Sequence, residues 1–423
     1  MRHLHVVYKL ALFACLSASL CAQQRPTEQS PLPPGTQAPS GSSTPSETPA
    51  PKRGWSYDPD AGIVYQQNDF KWTSWAYGER VFQVNAASFW RRVRQGMEFD
   101  LPRFTNKYRS ALVYEVDFTD TNFLRNSPKW NIFENLFWTF QDAENPGNFR
   151  ALFGENTHIL AYEDNLSSGN LPTINRSLIL EEHGSVNSFG TQFGFQVQKA
   201  LPRDYTLAFS AQDNRGSLNT PNPRYVVGND LAMKLTRSLI NNEKSGTKLT
   251  IGAGLDHTRD IRNRMFTLAS AVGAEPIGGT LASGNKLTFE AYAVYTGKLK
   301  NHSFTVESEG LHSSFSISAT HVGGGYVLGQ FSVFDTKQRG DLDPFLRYDW
   351  VRLGQHSIVG VAVQQAIRTG LNYNLPYSHK LASLHVEYAR NYIHGPIAIV
   401  PQSRAFNELG LELRFNVTRY VRH

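Results

Sequence analysis

Glu408-Leu409-Gly410-Leu411-Glu412-Leu413-Arg414-Phe415-Asn416-Val417-Thr418 alternates without a break. Successive side chains of a strand point to opposite faces, so Leu409, Leu411, Leu413, Phe415 and Val417 share one face. Glu408, Gly410, Glu412, Arg414, Asn416 and Thr418 share the other. The same period recurs upstream. Leu249, Ile251, Ala253 and Leu255 oppose Lys248, Thr250, Gly252, Gly254 and Asp256; Phe193, Phe195 and Val197 oppose Gln192, Gly194, Gln196 and Gln198; Ala382, Leu384, Val386 and Tyr388 oppose Ser383, His385 and Glu387.

Alternation alone fits a soluble sandwich as well as a membrane barrel. Length separates them: these segments run ~9 to 13 residues, as a tilted membrane-crossing strand must, whereas globular strands usually stop near 5 or 6. Counting from Ile63 gives roughly sixteen such segments. Short polar turns such as Lys300-Asn301-His302 alternate with long loops such as the one from Gly154 to Val186, which is the asymmetry of an outer-membrane barrel. The expected fold is therefore an all-β, antiparallel transmembrane barrel of about 16 strands.

Composition agrees. Aromatic residues make up 12% of the chain and charged residues only 18%, which suits a barrel with aromatic girdles. Mean hydropathy is −0.39, and after Ala22 no apolar run approaches the ~20 residues of a transmembrane helix.

Arg2 and Lys9 precede an apolar run from Leu10 to Leu20 that closes on Cys21-Ala22, the pattern of a secretory signal peptide, here residues 1–22. Cys15 and Cys21 both lie in it, so the mature chain is expected to hold no thiol and no disulfide. The net charge of +6 loses Arg2 and Lys9 with the signal, and 6 − 2 = +4 is too small to argue for nucleic acid as a partner. Residues 23–54 are dominated by Pro, Ser, Thr, Gly and Gln with no hydrophobic period, and read as a disordered tether. Residues 55–423 are left for the barrel.

Three segments carry a family likeness. They are Phe89-Trp90-Arg91-Arg92-Val93-Arg94 with the strand ending Tyr114-Glu115-Val116-Asp117-Phe118; Phe149-Arg150-Ala151-Leu152-Phe153-Gly154 with Glu163, Leu166-Ser167-Ser168 and Arg176-Ser177-Leu178; and Leu342-Asp343-Pro344-Phe345-Leu346-Arg347-Tyr348-Asp349. In these the chain resembles the phosphate-selective porins, the polyphosphate and phosphate channels of Gram-negative outer membranes. The resemblance implies a trimeric sixteen-stranded barrel in outer-membrane lipid, passing small anionic solutes such as phosphate along a ladder of arginines. Arg91 and Arg92 match its double-arginine positions; Arg94, Arg150 and Arg176 complete the candidate pore-lining set. No cofactor, metal site or enzymatic activity is implied.

This sequence departs from the family in three places. Asn175 stands where the family usually has Glu; the chain ends Tyr420-Val421-Arg422-His423 rather than on an aromatic residue; and no lysine occurs between Lys129 and Lys199, where the constriction loop should lie. That loop carries Glu155, Glu163, Asp164, Glu181 and Glu182 against Arg150 and Arg176.

Fixed arginines on a pore wall attract anions by offsetting part of their dehydration cost. With Val93, Met97 and Phe99 on the lipid face, Arg92, Arg94 and Glu98 point into the lumen. Arg91 then falls on the lipid face, where a midplane arginine costs ~2 to 4 kcal/mol, so it belongs near the interface or at a bulge. A hairpin turning at Phe104 and Thr105 would set Arg94 opposite Glu115 and Arg92 opposite Asp117. These arginines thus read either as an anion ladder or as wall ion pairs with little charge to spare, and the expected selectivity is a weak anion preference without a high-affinity phosphate site.

Two other classes stay open. Glu181-Glu182-His183 with Ser185 could form a rim enzymatic site, although no GxSxG or HExxH pattern occurs, and a plugged structural or adhesion barrel needs the same strands. His257, His321 and His385 have no ligand spacing for a metal.

Overall fold

The computed structural model describes residues 54–58, 62–67, 70–83, 88–101, 107–118, 133–166, 171–180, 191–213, 229–242, 245–268, 278–300, 302–336, 339–355, 360–376, 382–400 and 404–415. The signal peptide, all but the last residue of the tether, the Glu181–Ser185 cluster and the C-terminal Tyr420 to His423 lie outside these residues.

Nineteen strands follow one another: β1 (Gly54–Asp58), β2 (Gly62–Gln67), β3 (Phe70–Gln83), β4 (Phe89–Asp100), β5 (Tyr108–Asp117), β6 (Phe133–Asp142), β7 (Phe149–Thr157), β8 (Thr191–Leu201), β9 (Tyr205–Asp213), β10 (Asp230–Asn242), β11 (Thr247–Leu268), β12 (Gly278–Leu299), β13 (His302–Phe315), β14 (Thr320–Phe331), β15 (Phe334–Thr336), β16 (Gly340–Gln355), β17 (Val361–Asn374), β18 (Ala382–His394) and β19 (Arg404–Phe415). Each long strand pairs antiparallel with the next, and β14 pairs directly with β16 from Thr320↔Gln355 to Gln330↔Phe345. The ladder then closes on itself, β19 against β3, from Gly410↔Gln83 to Phe415↔Gly78. Among the described residues this makes a closed antiparallel barrel of 16 strands, β3 to β14 and β16 to β19. Closure pairs the first and last strands of the barrel with each other, as strands need in a medium that offers no hydrogen bonds.

The remaining strands extend the seam. β2 pairs with the first half of β3, from Ile63↔Ser74 to Gln67↔Phe70, where β19 does not reach, and β1 continues outward from β2. β15 is a short pairing within the β14–β16 connection.

Burial decides between sandwich and barrel, because the apolar face lies outward. On β19 Leu409 is 46% exposed while Glu412 and Arg414 are buried; on β18 Tyr388 is exposed and His385 and Glu387 are buried. The same inversion holds on β11, where Leu255 is exposed and Asp256 is fully buried. A soluble fold would invert this pattern.

Two ends are distinguishable. Short connections join β8 to β9, β10 to β11 and β12 to β13, whereas β7 leads into residues 158–190 and β9 into 214–229. The long-loop end is the outer face by the rule for such barrels.

Candidate functional site

Residues 158–166 and 171–180 pass inside the barrel. Leu160 and Ala161 have no exposure, and Leu171, Ile174 and Ile179 are nearly as enclosed. A loop in this position must satisfy its own backbone groups, and wall side chains do so. Glu309 accepts from the backbone N–H of Tyr162 and Glu163, at 2.6 and 3.0 Å, and Glu290 accepts from Tyr162 at 3.0 Å. Glu387 accepts from the N–H of Ile174 at 2.7 Å. Asn372 donates to the carbonyl of Pro172 at 2.8 Å, and Arg414 donates to Leu171 and Thr173 at 2.7 and 3.1 Å. These anchors lie on β12, β13, β17, β18 and β19.

The strongest tie is ionic. Arg347 on β16 holds both oxygens of Glu163, at 2.5 and 3.1 Å, and donates to Thr173 Oγ1 at 3.1 Å. Its Nε also donates to Asp349 at 2.9 Å, and Arg368 links Asp349 onward to Glu387, at 2.9 and 2.8 Å. The Arg347 guanidinium lies over the Tyr326 ring, 4.0 Å from its centroid. All members of this network are buried. Burial pushes the Glu163 carboxyl up, but Arg347 and the Ser177 N–H outweigh it and hold the group below its ordinary value.

At the start of the loop, His158 lies 3.2 Å from Asp230 on β10. Burial is the main cause that brings its imidazole down to about 4, with Asp256 opposing and Lys286 assisting. His158, Asp230 and Asp256 offer three ligand atoms within 4.8 Å of one another. Lys286 already sits 2.7 Å from Asp256 and supplies the cation this buried group needs.

The arginines singled out in the sequence form a second centre on the β3–β5 wall. Arg94 bridges Asp117 at 2.9 Å and Glu115 at 3.2 Å, and Glu115 also accepts from Trp75 Nε1 at 2.8 Å. The observed register is shifted by two residues from the expected one: Arg94 faces Asp117 and Gly96 faces Glu115. Inward parity survives such a shift, so both acids still meet Arg94. Arg92 turns instead to Glu79 on β3, at 3.9 Å.

Arg91 does not stay on the lipid face. The β3–β4 register shifts between Glu79 and Arg80, with Glu79 opposite Arg92 and Arg80 opposite Trp90. Arg91 is the extra residue of this bulge, and its side chain swings within 4.0 Å of Glu79 and 3.8 Å of Glu412.

Arg176 extends from the inserted loop, donating to the Glu163 carbonyl at 2.6 Å and pairing with Asp164 at 3.0 Å. Arg92 feels the charges of Arg94, Arg91 and Arg176, so three wall arginines and one loop arginine converge. Arg150 stands apart. The register Met97↔Tyr114, Tyr114↔Leu136 and Leu136↔Glu155 puts it about eight residues from Arg94 along the strands, roughly 26 Å towards the short-turn end.

Asn175 is buried with its Oδ1 unpartnered. Of the histidines, His385 is buried inward against Ser383 Oγ at 3.0 Å, while His321 is exposed on the outer wall and His257 half-buried there.

Arg347, Arg368 and Arg414 were missed as lumen residues. Two of them carried a signal: Arg347 alternates by two with Asp349 and Arg414 with Glu412, on the face opposite the apolar residues, whereas Arg368 has no acid two residues away.

No family model and no curated protein matches the chain. Solved structures do. The outer-membrane protein OmpT of Vibrio cholerae, in its outer-membrane expressed form, aligns with a TM-score of 0.53 at 8% identity, over 83% of this chain and 99% of that one. An anion-selective porin from Comamonas acidovorans aligns with a TM-score of 0.52 at 12% identity, over 82% of this chain and 99% of that one. At such identities the likeness shows the fold alone, a closed antiparallel β-barrel of the outer-membrane type.

Proposed function

We propose that the protein is a bacterial outer-membrane porin that admits small solutes by passive diffusion, with a weak preference for anions and no enzymatic activity of its own. One observation carries this reading: the loop that enters the barrel is anchored to β10, β12, β13 and β16 to β19, and brings Arg176 near Arg92 on β4, two strands beyond β19 around the closed seam. A loop held along one arc of a sixteen-stranded wall narrows the lumen rather than filling it.

Anion preference is supported by the convergence of Arg91, Arg92, Arg94 and Arg176. It is kept weak by Glu79, Glu115, Asp117 and Asp164, each within 4.0 Å of one of those arginines. Local charge at the narrowest point sets selectivity, because charges beyond about 8 to 10 Å are largely screened in salt water. The phosphate specificity of the family resembled would need a surplus of cations that this centre lacks. A homotrimer is the proposed assembly, in keeping with the porin fold. Conductance of the purified, folded protein in planar bilayers tests the reading; silent bilayers would favour a plugged barrel.

A further inference from the structure

The outer wall carries a charge pattern that permeation does not use. Along β13, β14 and β16 to β19 the inward faces hold Glu307, Glu309, Asp349, Glu387 and Glu412, yet no outward position of these strands carries Asp or Glu among the described residues. Towards the long-loop end, by contrast, the outward positions turn basic. Arg352 follows Tyr348 and Trp350 on β16, and Arg390 and His394 accompany Tyr388 and Tyr392 on β18. His312 and His321 stack on the neighbouring strands, 6.0 Å between ring centroids.

The patch is ordered by polar contacts among its own members. Tyr348 Oη accepts from Gln365 at 2.8 Å. Asn407 Oδ1 accepts from Tyr388 Oη at 3.0 Å and from Arg390 at 2.7 Å. The register Tyr348↔Ile367, Ile367↔Arg390 and Arg390↔Asn407 aligns Tyr348, Arg390 and Asn407 in one row across four strands, with Tyr388 two residues below it and Arg352 four above. Tyr348, Tyr388 and Tyr392 are each about two-fifths exposed, and neither Arg352 nor Arg390 is ion-paired among the described residues. Aromatic rings with a polar tip mark the depth where hydrocarbon gives way to headgroups.

We propose that this collar binds the phosphorylated headgroup of a glycolipid in the outer leaflet, with Arg352 and Arg390 as phosphate ligands and the tyrosine band as its sugar-facing bed. Guanidinium groups suit phosphate through paired N–H donors, and an anionic headgroup meets no opposing carboxylate on this wall. Apolar residues on the short-turn side of the Arg390 row, Leu346, Leu371 and Leu409, offer the acyl chains a surface that free phosphate would not use.

The test is native mass spectrometry of the folded full-length chain in detergent, supplied with diphosphoryl lipid A or with the same lipid stripped of its phosphates. Retention of the diphosphoryl form alone is expected, falling about fivefold or more in an Arg352→Gln/Arg390→Gln variant. Heat-modifiable migration and unchanged conductance of the variant establish that it folds and that the porin reading stands independently. Equal retention of both lipids, or equal retention by the variant, overturns the proposal. Displacement of the lipid by millimolar inorganic phosphate overturns it as well, by assigning the arginines to a free anion.

Discussion

Arg347 and Glu163 stand 184 residues apart in sequence and 2.5 Å apart in space, and their ion pair fastens the inserted loop to the barrel wall. Both side chains are buried, so the pair cannot be broken on one side without stranding a charge.

Arg347→Gln should therefore loosen the loop at a cost of roughly 3 to 5 kcal/mol to its docking, while the barrel itself persists. Increased current noise in single channels and faster proteolysis within residues 158–180 would report this. A double-mutant cycle with Glu163→Gln should show strong coupling, and additive effects would mean that the loop is held elsewhere.

Acid should release the loop in two stages. A histidine held at about 4 in the docked loop, against an ordinary 6.5, stays neutral when docked but protonates when free. Docking is then complete above pH 6.5 and weakens as pH falls towards 4, by roughly 3 kcal/mol in all. Glu163, whose value is depressed, adds a loss only below the ordinary carboxylate range near 4.5. His158→Gln should flatten the first stage in a pH series of channel noise and leave the second. Loss confined to pH below 4 in the parent protein would contradict the role of His158.

Gly96 is where the Trp75 indole lies across β4; an added Cβ would fall 2.2 Å from its ring. Gly96→Val should displace the indole from Glu115 and lower barrel stability by about 1 to 3 kcal/mol. The urea midpoint of the heat-modifiable form measures this, and an unchanged midpoint would show that Trp75 has room to move.

Removing Arg94 leaves Glu115 and Asp117 without their bridging cation. Arg94→Ala should shift selectivity towards cations, whereas Arg150→Ala, some distance away at the short-turn end, should leave it nearly unchanged. Reversal potentials of the two variants make the comparison; equal shifts would mean that both arginines line the same narrow region.

The barrel was legible because each strand states its own case: Leu409 to Phe415 names an outward and an inward face with no help from the rest of the chain. Lumen residues were legible by the same parity, which is how Arg92 and Arg94 were placed. Height and partner were not. Arg150 has the right parity but sits at the other end of the strand direction, since parity carries no vertical coordinate. Arg91 has the wrong parity, corrected by a bulge that arises from the pairing of β4 with β3. The anchors of the loop were least legible of all, for Glu163 meets Arg347 only after the ladder has closed, and no local pattern encodes a contact across a lumen.

The most direct measurement of the proposed function is the reversal potential of single channels in a potassium chloride gradient, with phosphate then added to the bath. Open channels should show a reversal potential displaced slightly towards chloride, with no block by micromolar phosphate. Bilayers that stay silent with well-folded protein would contradict an open pore, and strong micromolar block would contradict the neutralised arginine centre.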